Sequence, residues 1–135
     1  YLVQHRDDDP AVELAGHWGL FGGAIEPDES AEDAMRRELD EELALRVARI
    51  QPFVSTWVDL RPIVNRQVTK FYFEIALSDA DIGALRPTEG QDWALVTYAE
   101  FADGRPVTPV DLMALNLHHN RRLMAEVLAP RRPRA

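Results

Sequence analysis

Apolar positions along the chain fall into blocks of different period. "YLVQHR" (1–6) predicts a strand, "DDDPAVELAG" (7–16) a polar loop, and "HWGLFGGAI" (17–25) short strands around a tight turn. From Ala31 to about Ala44 good helix formers dominate. Ser30 is the expected N-cap, with Asp33 three residues on and Pro27 keeping the preceding chain non-helical. "VARIQPFVSTWVDL" (47–60) and "RQVTKFYFEIALS" (66–78) carry the β-branched and aromatic residues of strands. "DADIGALRPTEGQD" (79–92) reads as a long polar connection, and "WALVTYA" (93–99) as another strand. "TPVDLMALNLHHNRRLMAEVLA" (108–129) predicts one amphipathic helix, with Leu112, Leu115, Leu117, Leu123, Met124 and Leu128 on its core face. "PRRPRA" (130–135) reads as a frayed basic tail. Helices alternating with strands predict one α/β domain over residues 1–129, a mixed β-sheet with helices on both sides.

The helix over 31–44 is the unusual element. At 100° per residue, Glu38, Glu41 and Glu42 fall within one arc of about 100°. Met35, Leu39 and Leu43 form the adjacent stripe that should face the core, while Asp33, Arg36 and Asp40 turn toward water. Like charges this close repel, and Arg37, at i,i+4 from Glu41, cannot neutralise all three. One reading is a solvated charged face. The other is a set of oxygen ligands for a hard divalent cation, Mg2+ with Mn2+ as the alternative, bridging the acidic flank to a diphosphate. Gly22-Gly23, just before the helix, would allow close backbone approach, with a free carbonyl as a further ligand.

Composition narrows the picture. The 135 residues carry a net charge of −8, which argues against a grip on duplex nucleic acid. No apolar run approaches the roughly 20 residues of a membrane span. Cysteine is absent, which excludes disulfides and thiolate metal sites and fits a reducing cytoplasm. Residue 1 is Tyr and the first strand starts abruptly, so an N-terminal segment or a homodimer contact is expected to complete the sheet.

The order Gly23, five residues, Glu29, seven residues, Arg37-Glu38-Leu39, one residue, Glu41-Glu42, one residue, Ala44-Leu45 resembles the Nudix box. Every charged position matches. Ala44 stands where the family usually has Gly, Phe21 where Pro is frequent, and Asp28 where Gly is frequent. The resemblance implies an α/β/α sandwich and Mg2+-dependent hydrolysis of a nucleoside diphosphate linked to a group X. The substrate would be a nucleoside triphosphate, oxidised ones included, or a nucleotide sugar. The alternative is a nucleotide-binding regulatory domain without hydrolase activity. By position, Glu38, Glu41, Glu42 and the Gly22 carbonyl would bind the cation, with Arg37 and Glu29 orienting the glutamates. The general base would be a box glutamate or Glu89 of "RPTEGQDW". Arg6 resembles a phosphate-contacting residue of the family, and Arg66 and Lys70, four apart on one strand, share a face from which one of them would reach the diphosphate. Trp18, Trp57, Tyr72 and Trp93 read as core aromatics before base-stacking ones, and His118 and His119 as structural.

Overall fold

The computed structural model describes residues 1–128. Strand β1 (Leu2–His5) is central in a three-stranded antiparallel sheet, with β2 (Trp18–Gly19) on one side and β5 (Asp92–Leu95) on the other. Strands β3 (Gln51–Asp59) and β4 (Gln67–Glu74) form a second antiparallel pair, bulged at Pro52/Val54. A lone parallel bridge joins Trp18 to Val107. Period-2 alternation sends neighbouring residues to opposite faces. Leu2 and Trp93 pack against helix α1 (Ala31–Leu43), in a cluster with Leu39, Leu43, Leu45, Ile50 and Leu85. Val3 and Ala94 pack on the other face, with Val96, Phe101 and Leu115. Helices therefore cover both faces, as the α/β/α expectation required.

Helix α1 starts as read: the Ser30 side chain accepts from the Asp33 N–H. It stops at Ala44, whose φ of 52° is left-handed, and the Leu45 N–H closes back on the Leu39 carbonyl. Ala takes this conformation at a cost of about 1 kcal/mol relative to the usual Gly.

Between β3 and β4 lies a short helix, α2 (Arg61–Val64). Three expectations need correction. The 79–92 connection opens with α3 (Asp79–Ala84), set by a capping box between Ser78 and Asp81. The strand expected over 93–99 ends at Leu95, because Thr97 and Glu100 form a second capping box that starts α4 (Tyr98–Ala102). The helix expected over 108–129 breaks at Asn120 into α5 (Pro109–His119) and α6 (Arg121–Leu128). The break turns Leu123 and Met124 outward, 58 % and 40 % exposed, whereas Leu115 stays buried. The tail 130–135 lies outside the described residues. Among the described residues no helix is long and apolar enough to cross a membrane.

Candidate active site

Packing of Leu39 and Leu43 fixes the rotation of α1 and thereby the direction of its acids. Glu42 is turned inward and is 4 % exposed. Its Oε2 accepts the Gly22 N–H at 3.0 Å. Glu38 is half-buried, and its Oε1 accepts from Arg37 at 2.7 Å. Glu41 departs from the expectation that all three acids border the core: its side chain is 62 % exposed and turns back to Arg37 at 3.1 Å. It sits about 120° round the wheel from Met35, the nearest residue of the buried stripe, and on the side of Arg37, whose guanidinium holds it toward solvent.

Arg37 is the hub of this flank. Beyond Glu38 and Glu41 it donates to both oxygens of Glu29, at 3.0 and 3.1 Å, and to the Ala24 carbonyl at 2.9 Å. These bonds lift its pKa further above the ordinary value, Glu29 first and Glu38 second. Glu29 is held below the usual carboxylate range by the Arg37 hydrogen bond and then by the Glu26 N–H. The turn before it runs through Asp28 at φ 67°, the left-handed conformation that explains why Gly is frequent there.

Glu42 has no bond from Arg37. Burial pushes its carboxyl up to about 7; the Gly22 N–H opposes this, and Glu38 and Glu89 add to it. Glu89 itself is exposed, yet the loop that carries it is tied down on both sides. Thr88 donates through its N–H to the Glu42 carbonyl and through its hydroxyl to the Glu41 carbonyl, both at 2.9 Å. On the other side, the Gln91 N–H donates to the His5 carbonyl at 2.8 Å. Gly90 sits at φ 78°, where a Cβ would lie 2.7 Å from that carbonyl. Sequence reasoning named Glu89 but missed Thr88, although the two are adjacent.

Gly23 lets the backbone pass close to Glu38. A Cβ there would lie 2.4–2.7 Å from the Glu38 carboxyl atoms. Gly23→Ala is expected to displace that carboxylate and to lower whatever activity the site carries by about tenfold or more, since small misplacements of functional groups are costly. Parallel melting curves should show a loss of only about 1 kcal/mol; an unchanged rate would contradict the placement.

Glu38, Gly22 and Gly23 open into a cleft of about 1280 Å³ that Arg6, Arg66 and Lys70 also line. The three cations differ from expectation in their engagement. Arg66 precedes β4 and is not part of it, and it forms an ion pair with Glu13. Arg6 donates to the Glu13 carbonyl at 3.0 Å, so the 7–16 loop gathers both arginines. Lys70, on β4, donates to Asp111 at 3.1 Å. Asp111 and Glu13 were not foreseen. The inward side of β4 carries Lys70 and Tyr72 to Asp111, and the Tyr72 hydroxyl, which donates to it at 2.8 Å, is raised by burial and then by that carboxylate. Of the other aromatics, Trp18 stacks on His5, Trp93 packs against the α1 cluster, and Trp57 is 65 % exposed. His118 bonds Tyr1 and Glu74, and His119 stacks on Tyr98, which makes both structural.

The donor chemistry suits a divalent cation: all-oxygen ligands around a buried carboxylate that Arg37 does not reach. Among the described residues, no three acidic or His side chains converge closely enough to hold a metal ion as they stand. Arg37 retains Glu38 and Glu41 on one nitrogen, so assembling the set requires both to turn from it toward Glu42.

A NUDIX domain family model matches residues 1–115. The nucleoside triphosphatase NudI of Escherichia fergusonii is 46 % identical over 121 residues, covering 87 % of this chain and 79 % of that protein. The MutT protein of Methanosarcina mazei superposes with a TM-score of 0.70 at 19 % identity, over 90 % of this chain and 83 % of that one. The NUDIX domain of Shewanella oneidensis NrtR, solved with ADP ribose, gives 0.65 at 20 % identity, over 90 % and 76 %.

Proposed function

The chain belongs to the NUDIX family, and from that premise we propose that it is a hydrolase that cleaves a phosphoanhydride of a nucleoside triphosphate. The 46 %-identical relative named as a nucleoside triphosphatase supports that substrate class over nucleotide sugars. The observation that carries the reading is Glu42: a buried carboxyl, aimed at Gly22, with Glu38 and Glu89 beside it and no side-chain cation upon it. An acid in that position is costly unless its charge is used.

Glu38, Glu41, Glu42 and the Gly22 carbonyl would hold Mg2+, with Mn2+ as a substitute, and Arg37 with Glu29 fixes the resting direction of Glu38 and Glu41. A cation held there would supply charge neutralisation at the phosphates and would acidify an attacking water. Glu89 would take a proton from the attacking water, with Glu38 the alternative base. Arg6, Arg66 and Lys70 line the cleft where the phosphate chain would lie. A cytoplasmic setting, where nucleoside triphosphates are made and used, goes with this reading.

The test is a hydrolysis screen over nucleoside triphosphates, nucleotide sugars, ADP-ribose and dinucleoside polyphosphates, with Mg2+ and with chelator. Nucleoside triphosphates should be turned over fastest, and chelator should abolish the activity. Faster turnover of another class would displace the substrate assignment, and nucleotide binding with no turnover of any class would make the domain a nucleotide-binding one.

A further inference from the structure

Asp111 lies in the first turn of α5 and is 4 % exposed. Its Oδ2 accepts from the Thr108 hydroxyl at 2.6 Å and the Leu20 N–H at 3.2 Å. Its Oδ1 accepts from Lys70 at 3.1 Å and the Tyr72 hydroxyl at 2.8 Å. A buried carboxylate persists only when its lone pairs are satisfied, and here three separate segments of chain supply the donors. Two of those donors lead to the cleft. The Lys70 side chain is 40 % exposed there, and an ammonium carries three donors, of which Asp111 takes one. Leu20 stands two residues before Gly22, whose N–H holds Glu42. The end of β2, just before Leu20, is threaded closely past the same carboxylate, since a Cβ on Gly19 would lie 2.9 Å from Asp111 Oδ2. One carboxylate thus fixes both the cation on β4 and the loop that meets α1.

We propose that Asp111 is a positioning residue: by holding Lys70 and the Leu20 amide together, it sets the phosphate-contacting ammonium at a fixed place relative to the Gly22–Glu42 contact. The residue touches no substrate and acts through Lys70. The inference rests on the reading of Lys70 as a contact to the triphosphate. A purely structural role would lower stability and leave substrate affinity alone.

Wild type, Lys70→Ala, Asp111→Asn and the double variant separate these roles in a kinetic cycle, with melting curves run in parallel. Asp111→Asn should raise KM about tenfold or more while kcat stays within about threefold, and the double variant should be no worse than Lys70→Ala. Any of three results overturns the proposal: a wild-type KM in Asp111→Asn, a wild-type KM in Lys70→Ala, or effects that multiply in the double variant. If Asp111→Asn does not fold, Tyr72→Phe removes one donor from the same oxygen. It should raise KM by a smaller factor that disappears in a Lys70→Ala background, and a wild-type KM there is equally fatal. A wild type without hydrolase activity would sink the functional reading separately. The ATP dissociation constant of the same variants then replaces KM, with the same outcomes deciding, and a wild type that binds no ATP overturns both.

Discussion

Glu42→Gln is expected to remove Mg2+-dependent hydrolysis, lowering kcat/KM by about a thousandfold or more, while making the metal-free protein more stable above neutral pH. The two effects have opposite signs for one reason. Burial raises the Glu42 carboxyl from its ordinary 4.5 to about 7, so the fold prefers the neutral acid. A raised acid contributes stability that is complete below the unfolded value near 4.5 and is lost as pH climbs through about 7. At pH 8 the ionised wild type therefore carries a penalty of up to about 3 kcal/mol that the neutral amide does not. Gln keeps the shape, and its carbonyl can accept the Gly22 N–H in place of the carboxylate. Thermal unfolding without metal should show the variant melting several degrees above wild type at about pH 8, with the two converging near pH 5. Equal melting points at both pH values would mean that Glu42 is not buried as a charge.

Glu89→Gln is expected to lower kcat by about a hundredfold to ten-thousandfold with KM nearly unchanged, the size of a lost general base. The amide still fits an exposed loop whose position depends on Thr88 and Gln91 rather than on the Glu89 carboxylate. A second signature follows from the neighbouring acid. The Glu89 charge helps push Glu42 up, so its removal should let Glu42 ionise at lower pH and move the acid limb of Mg2+ binding in that direction. Rates at several pH values and single-turnover measurements would separate the two effects. Wild-type turnover in Glu89→Gln would transfer the role of base to Glu38.

Much of this arrangement was legible because α1 obeys a simple period. Met35, Leu39 and Leu43 gave the buried stripe, and that stripe dictates where Glu38 and Glu42 point. The same spacing puts Glu41 farthest of the three acids from that stripe, but it could not show which acids Arg37 would hold, because a guanidinium chooses among Glu29, Glu38 and Glu41 in three dimensions. The helices α3 and α4 carry a local signal of their own. Ser78 with Asp81, and Thr97 with Glu100, are capping boxes, but the apolar and aromatic run around Thr97 read more strongly as strand. Asn120 interrupts a helical period that continues on both sides of it, and the period alone therefore predicted one helix and a core role for Leu123 and Met124. Asp111 carried only the local Thr108-to-Asp111 spacing at the start of its helix, which says nothing of the cleft. It is one acid in the first turn of a helix, where an exposed dipole-facing role is usual, and apart from Thr108 its donors come from positions 20, 70 and 72, which nothing local connects to it.

The central claim is that the inner flank of α1 holds a divalent cation through Glu42. Calorimetric titration of Mg2+ into wild type and Glu42→Gln at about pH 8, with and without a nucleoside triphosphate, tests it most directly. Wild type should bind with measurable heat, more tightly beside the nucleotide. Near pH 7, where Glu42 is part-protonated, binding should also release a fraction of a proton, and the variant should show neither response. Wild type that takes up neither Mg2+ nor Mn2+ in any of these mixtures, or a variant that binds as wild type does, would contradict the account.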